Sequence, residues 1–99
     1  MFELRFTLSA SAEFNEIKSN PSQAGLLKQI RKTLGFLQVD PRHPSLQTHE
    51  FQGIPHPFLT EGKVFEAYAQ NRTPGAYRIF WCYGPSKSQI TIIAITPHP

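Results

Sequence analysis

A single cysteine, Cys82, stands among 99 residues, which excludes an intramolecular disulfide and any metal site built from several thiolates. Its place inside an apolar run marks it as a small buried hydrophobe, and a reducing, cytoplasmic setting is the expectation. Long hydrophobic runs are missing as well. No stretch approaches the roughly 18 apolar residues of a membrane span, and Met1-Phe2-Glu3-Leu4-Arg5 lacks the layout of a signal peptide, so no membrane role is expected. Acidic residues are scarce, seven against ten Lys and Arg, for a net charge of +3. The excess is concentrated: Lys28, Arg31, Lys32 and Arg42 against Asp40 give the segment 21–48 alone a charge of +3. Such a patch attracts polyanions.

The length fits one domain, residues 1–99, around one core. Eight Phe, three Tyr and one Trp supply the large apolar side chains for it. Residues 2–8 alternate, with Phe2, Leu4, Phe6 and Leu8 on one side, which predicts a half-buried strand. Ser9 or Ser11 is then placed to cap a short helix carrying Ala10, Phe14 and Ile17 at helical spacing. Asn20-Pro21-Ser22 ends it, and Ser22 is placed to cap a longer helix to about Leu37. Leu26, Leu27, Ile30, Leu34 and Leu37 form its apolar stripe, with Lys28, Arg31 and Lys32 on its other face. Residues 39–62 are rich in Pro, His and Gly and show no sustained period, as in a long loop with short extended pieces. Three strand-like runs follow at 64–69, 76–83 and 89–96, joined by connections short enough for antiparallel neighbours. The expected order is β-α-α-β-β-β: an α+β domain with two N-terminal helices packed on a mainly antiparallel sheet.

Period-two counting puts Arg78 on one face with Phe80 and Cys82. A guanidinium among apolar neighbours needs an anion, either Glu66 or a ligand phosphate. The same counting on the last run puts Ile90, Ile92, Ala94, Thr96 and His98 on one face. Histidine titrates near neutrality and suits proton transfer. Taken alone, one so near the end of the chain reads as a frayed, solvated residue. His43, His49 and His56 are spread through a Pro-rich loop that matches no standard zinc spacing, so neither metal nor cofactor is expected. Tyr68, Tyr77, Trp81 and Tyr83 offer rings for base stacking, but aromatics at strand spacing read first as core.

The element order, together with the segments Pro44-Ser45-Leu46-Gln47-Thr48-His49-Glu50-Phe51-Gln52-Gly53, Val64-Phe65-Glu66-Ala67-Tyr68, Tyr77-Arg78-Ile79-Phe80-Trp81 and Ala94-Ile95-Thr96-Pro97-His98, resembles the RelE/ParE toxin superfamily over nearly the whole chain. The resemblance implies the toxin of a bacterial type II toxin–antitoxin pair. RelE-like members are endoribonucleases that cut messenger RNA in the ribosomal A site, whereas ParE-like members inhibit DNA gyrase without chemistry. In the RelE-like branch an arginine in the middle strand of the terminal meander and a histidine or other polar residue just past the last strand serve cleavage, and these positions match Arg78 and His98. Relatives that use a glutamate as base carry it just before the Leu46 position, where this chain has Pro44-Ser45. Glu66 and His49 are the remaining candidates for that role. Arg42, His43, Lys63, Arg72 and the helical Lys28, Arg31 and Lys32 are candidate RNA contacts. The implied partners are messenger RNA, the ribosome and a cognate antitoxin whose acidic or amphipathic segment covers the basic face. A ParE-like gyrase inhibitor and an inactive member that keeps only the fold and the antitoxin contact are the rival readings.

Overall fold

The computed structural model describes residues 1–98. Its elements are β1 (Glu3–Phe6), α1 (Leu8–Lys18), a 3-10 turn at Pro21–Gln23, α2 (Ala24–Val39), a second 3-10 turn at Pro44–Leu46, β2 (His49–Glu50), β3 (Phe65–Tyr68), β4 (Tyr77–Tyr83) and β5 (Gln89–Pro97). One five-stranded sheet runs β1-β5-β4-β3-β2. The first pairing is parallel, and the other three are antiparallel. The α+β order expected from the patterning therefore holds, with one addition. Strand β2, only two residues long, lies inside the segment expected to be loop, where too few residues pair to leave a period.

The helix starts differ from expectation. Thr7, not Ser9 or Ser11, caps α1, its hydroxyl oxygen accepting from the Ala10 N–H. Turning into the helix at that point leaves Leu8 exposed instead of on the buried side of β1. Asn20 accepts from the Ser22 N–H and opens the 3-10 turn that leads into α2, so Ser22 caps nothing.

Both helices cover one face of the sheet. Ile17, Ile30, Leu34 and Leu37 meet Ile79, Trp81, Ile90, Ile92 and Ile95 there, in a continuous apolar core. The opposite face carries a smaller cluster, Val64, Phe80, Cys82 and Ile93, over which the long loop lays Phe51 and Ile54. Strand β4 is consequently buried on both sides, and Arg78 does share a face with Phe80 and Cys82, as alternation requires.

Alternation fails in β5. Phe80 pairs with Ala94 but Trp81 pairs with Ile92, so Ile93 is an extra residue, a β-bulge. Ile90 and Ile92 face the helices, whereas Ala94 and, by alternation beyond the bulge, Thr96 lie on the other face with Arg78. The backbone around the bulge is held by α1. Strand β1 ends at Phe6, opposite Ile92, and beyond it the Thr7 hydroxyl donates to the Ile93 carbonyl at 2.8 Å while Glu13 accepts from the Ile95 N–H at 2.9 Å. At the far end of β5, Gly84 opens the β4–β5 turn with φ +109° and lies so close to Phe58 that a Cβ would clash with the ring.

Two predictions follow from these placements. Thr7→Val keeps the shape but loses both the cap and the bond to Ile93, and should cost about 1–2 kcal/mol in urea denaturation. Burial pushes the Cys82 thiol up from its ordinary 9.0 to about 11. The unfolded chain therefore releases this proton before the folded one does, so the contribution to stability is full below pH 9 and lost as pH rises toward 11. Thiol reagents at pH 8 should label Cys82 only in denaturant, and labelling at the free-thiol rate in the native protein would contradict its burial.

Candidate active site

On the sheet face away from the helices, β3 and β4 pair Glu66 with Phe80 and Tyr68 with Arg78, and β2 sets His49 opposite Glu66. Past β5, the His98 N–H donates to the Ala76 carbonyl at 2.8 Å and extends the ladder one step beyond the strand. These pairings gather Glu66, His49, Arg78 and His98. The expectation of a frayed His98 fails for this reason: its backbone is tied to the start of β4 and its ring to a buried acid.

Glu66 is the centre of the cluster and is fully buried. His98 Nδ1 lies 2.5 Å from Oε2 and donates to it. His49 Nε2 lies 2.7 Å from Oε1, without hydrogen-bond alignment. Arg78 Nε is 3.5 Å from Oε2, again without hydrogen-bond alignment. A carboxylate taken out of water is costly unless positive or donating groups surround it, and here three do. Both histidine side chains stay about half exposed, at 48% and 47%. The buried acid thus holds two accessible imidazoles and a guanidinium at one point.

Arg78 is fixed from several sides. Nη1 donates to the Gln70 carbonyl at 2.6 Å and to the Tyr77 carbonyl at 3.3 Å. The guanidinium carbon sits 3.6 Å from the centre of the Tyr68 ring, a cation–π contact. Its Nε is buried and has no aligned hydrogen-bond partner. Tyr68 and the Gln70 carbonyl were not assigned to Arg78 from the sequence; the β3–β4 register, which the turn between them determines, is the signal that links them. His49 is delivered by Gln47, whose left-handed conformation at φ 48° turns the chain out of the 3-10 turn. The carbonyl of Gln47 then lies 3.3 Å from His49 Nδ1.

The remaining sequence candidates are dispersed. Arg72 lies in the β3–β4 turn, at the Arg78 end of the hairpin, and Lys63 precedes β3 at its other end. Lys28, Arg31 and Lys32 project into solvent from α2, on the other side of the sheet. Arg42 and His43 line a separate cleft on that side. Among the described residues, no group of three His, Cys, Asp or Glu side chains is arranged to hold a metal ion. In the Glu66 cluster the imidazole nitrogens rest directly on the carboxylate oxygens, which leaves no gap for an ion between them.

Neither a family profile nor a characterised relative matches the sequence. Solved structures do. A YoeB/ParE toxin from Agrobacterium tumefaciens superposes with a TM-score of 0.72 at 12% identity, over 99% of this chain and 100% of its own. A metal-bound toxin from Helicobacter pylori gives 0.69 at 14% identity, over 99% and 96%. The Escherichia coli RelBE toxin–antitoxin complex gives 0.64 at 16% identity, over 100% and 99%. Over nearly its whole length this chain has the fold of the RelE/ParE toxins.

Proposed function

We propose that the chain is the toxin of a type II toxin–antitoxin pair and that it cleaves messenger RNA on the ribosome without a metal. The observation that carries this reading is the convergence of two accessible histidines and a buried arginine on Glu66, with Arg78 and His98 at the positions where the resemblance expects cleavage residues. RNA supplies its own nucleophile. A deprotonated 2′-hydroxyl attacks the adjacent phosphorus, the bond to the 5′-oxygen breaks, and a 2′,3′-cyclic phosphate and a free 5′-hydroxyl result. The reaction needs a proton acceptor, a proton donor and a stabiliser of phosphoryl charge.

Full burial removes Glu66 from contact with a substrate, so its part is to position the imidazoles. It holds His98 by Nδ1 and leaves Nε2 free to deliver a proton to the departing 5′-oxygen. His49, as the neutral ring with its proton on Nε2 toward Glu66, takes the 2′ proton at an unprotonated Nδ1 that a substrate hydroxyl reaches in place of the Gln47 carbonyl. Arg78, steadied by Tyr68 and Gln70, sets its positive charge beside the two imidazoles, where it offsets the charge building on the phosphoryl oxygens. This division gives the missing glutamate near Leu46 a substitute in His49. Basic side chains outside the cluster, Arg72 nearest among them, add phosphate attraction of the salt-sensitive kind. An antitoxin partner is supported by the RelBE complex, where a protein of this fold is paired with one.

Purified protein added to a translating extract should leave new 5′ ends within messages, mapped by primer extension. Arg78→Ala should reduce cutting by about 10²–10³-fold. Arrest of gyrase supercoiling at stoichiometric protein, with translated messages intact, would replace the nuclease reading with the ParE-like one. Glu66→Gln should slow cutting at least about tenfold and also change its pH dependence. An equal loss at every pH would assign Glu66 a structural role only.

A further inference from the structure

Buried polar atoms without partners are rare in folded proteins and each needs a reason. Among the described residues four side-chain atoms stand in this condition: Glu66 Oε1, Arg78 Nε, Thr48 Oγ1 and Trp81 Nε1. The first two belong to the cluster already described. The other two belong to residues that line one cleft of about 500 Å³ on the helix side of the sheet. Its aromatic wall is Phe65, Trp81 and Tyr83, with ring centres 4.9 Å apart for Phe65–Trp81 and 5.0 Å for Trp81–Tyr83. Tyr83 is the most open of the three, at 43% exposure. Arg42 and His43 stand on the same lining, and Arg42 is exposed.

The position of the cleft matters as much as its chemistry. Thr48 and His49 are consecutive residues where the chain enters the edge strand β2. His49 reaches the Glu66 cluster on one face of the sheet while Thr48 lines the cleft on the other. The two sites lie back to back across an edge strand of two residues, short enough for an extended polymer to pass over.

We infer that this cleft binds the base of a nucleotide neighbouring the bond that is cut, a subsite that rests on the RNA-cleavage reading. Nucleobases present flat faces to aromatic walls and ring-nitrogen or carbonyl acceptors at their edges. The Trp81 N–H and the Thr48 hydroxyl are two donors without acceptors, and Arg42 supplies a cation for the attached phosphate. A volume of about 500 Å³ lies within the size range of small-molecule sites. An acidic peptide would be held by Arg42 and the rings but would leave the two buried, unpartnered donors beside the cleft unexplained.

Trp81 is the only tryptophan in the chain, so its emission reports the cleft directly. The test is a titration of the full chain with the four nucleoside 5′-monophosphates, and with ribose 5-phosphate as the control lacking a base. Mononucleotides contain no bond that the proposed reaction breaks, so binding is read independently of cutting. At least one nucleotide should change the emission saturably, with ribose 5-phosphate about tenfold weaker or worse. Thr48→Val should weaken the tightest nucleotide by about fivefold. Arg42→Gln, a change at an exposed position that does not threaten folding, should weaken nucleotide and ribose 5-phosphate alike. Equal binding of nucleotide and ribose 5-phosphate would overturn the base subsite. So would a response to an acidic amphipathic peptide with none to any nucleotide, which would give the cleft to a protein partner. Nucleotide binding by a protein that cuts no message would leave the subsite standing and sink the cleavage reading.

Discussion

The short reach of Thr7 to the carbonyl of Ile93 governs much of this molecule. A strand with an inserted residue changes the face of every side chain after it, and an unsupported bulge would slip back into regular register. Thr7 and Glu13 prevent that by bonding the backbone of β5 where β1 has ended and no strand can do so. The phase of the last residues of β5 follows. With it, Thr96 comes opposite Arg78 and His98 arrives beside Glu66. A helix cap at the beginning of the chain therefore decides what faces the acid at the other end.

The acid is itself under constraint. A fully buried carboxylate is unfavourable alone, and its surroundings are the reason it is tolerated: two imidazoles, a guanidinium and no competing anion within the cluster. Arg78 has the converse need, met by two carbonyls and the Tyr68 ring in addition to the acid. The group is self-consistent without ligand, yet Glu66 Oε1 and Arg78 Nε are left without aligned partners.

Local periodicity made the element order legible in the sequence, since alternation and helical stripes are written in consecutive residues. It also placed Arg78 on the face of Phe80 and Cys82, which the structure shares, and it offered Glu66 as one of two candidate anions for Arg78. It failed wherever a non-local contact intervenes. The face of Ile90 and Ile92 was misplaced because a bulge leaves no mark on alternation that a continuous apolar run could reveal. The cap of α1 was misplaced because Thr7 is chosen by the end of β1, not by the residues of the helix. Resemblance, not pattern, drew attention to His98. Its contact with Glu66 depends on the β3–β4 register and on the bulge together. The cleft behind β2 was invisible because Thr48, Phe65 and Trp81 meet only after β2 has paired.

The parallel pairing of β1 with β5 has a consequence for how the chain folds. The sheet's second strand in space is its last in sequence, and Thr7 and Ile93 are 86 residues apart. Until β5 is in place, β1 has no neighbour, β4 has one open side, and the apolar faces of both helices lack most of their floor. Closing so long a loop comes before the contacts that reward it, which slows folding and makes it cooperative. The core is assembled around the last strand of the chain.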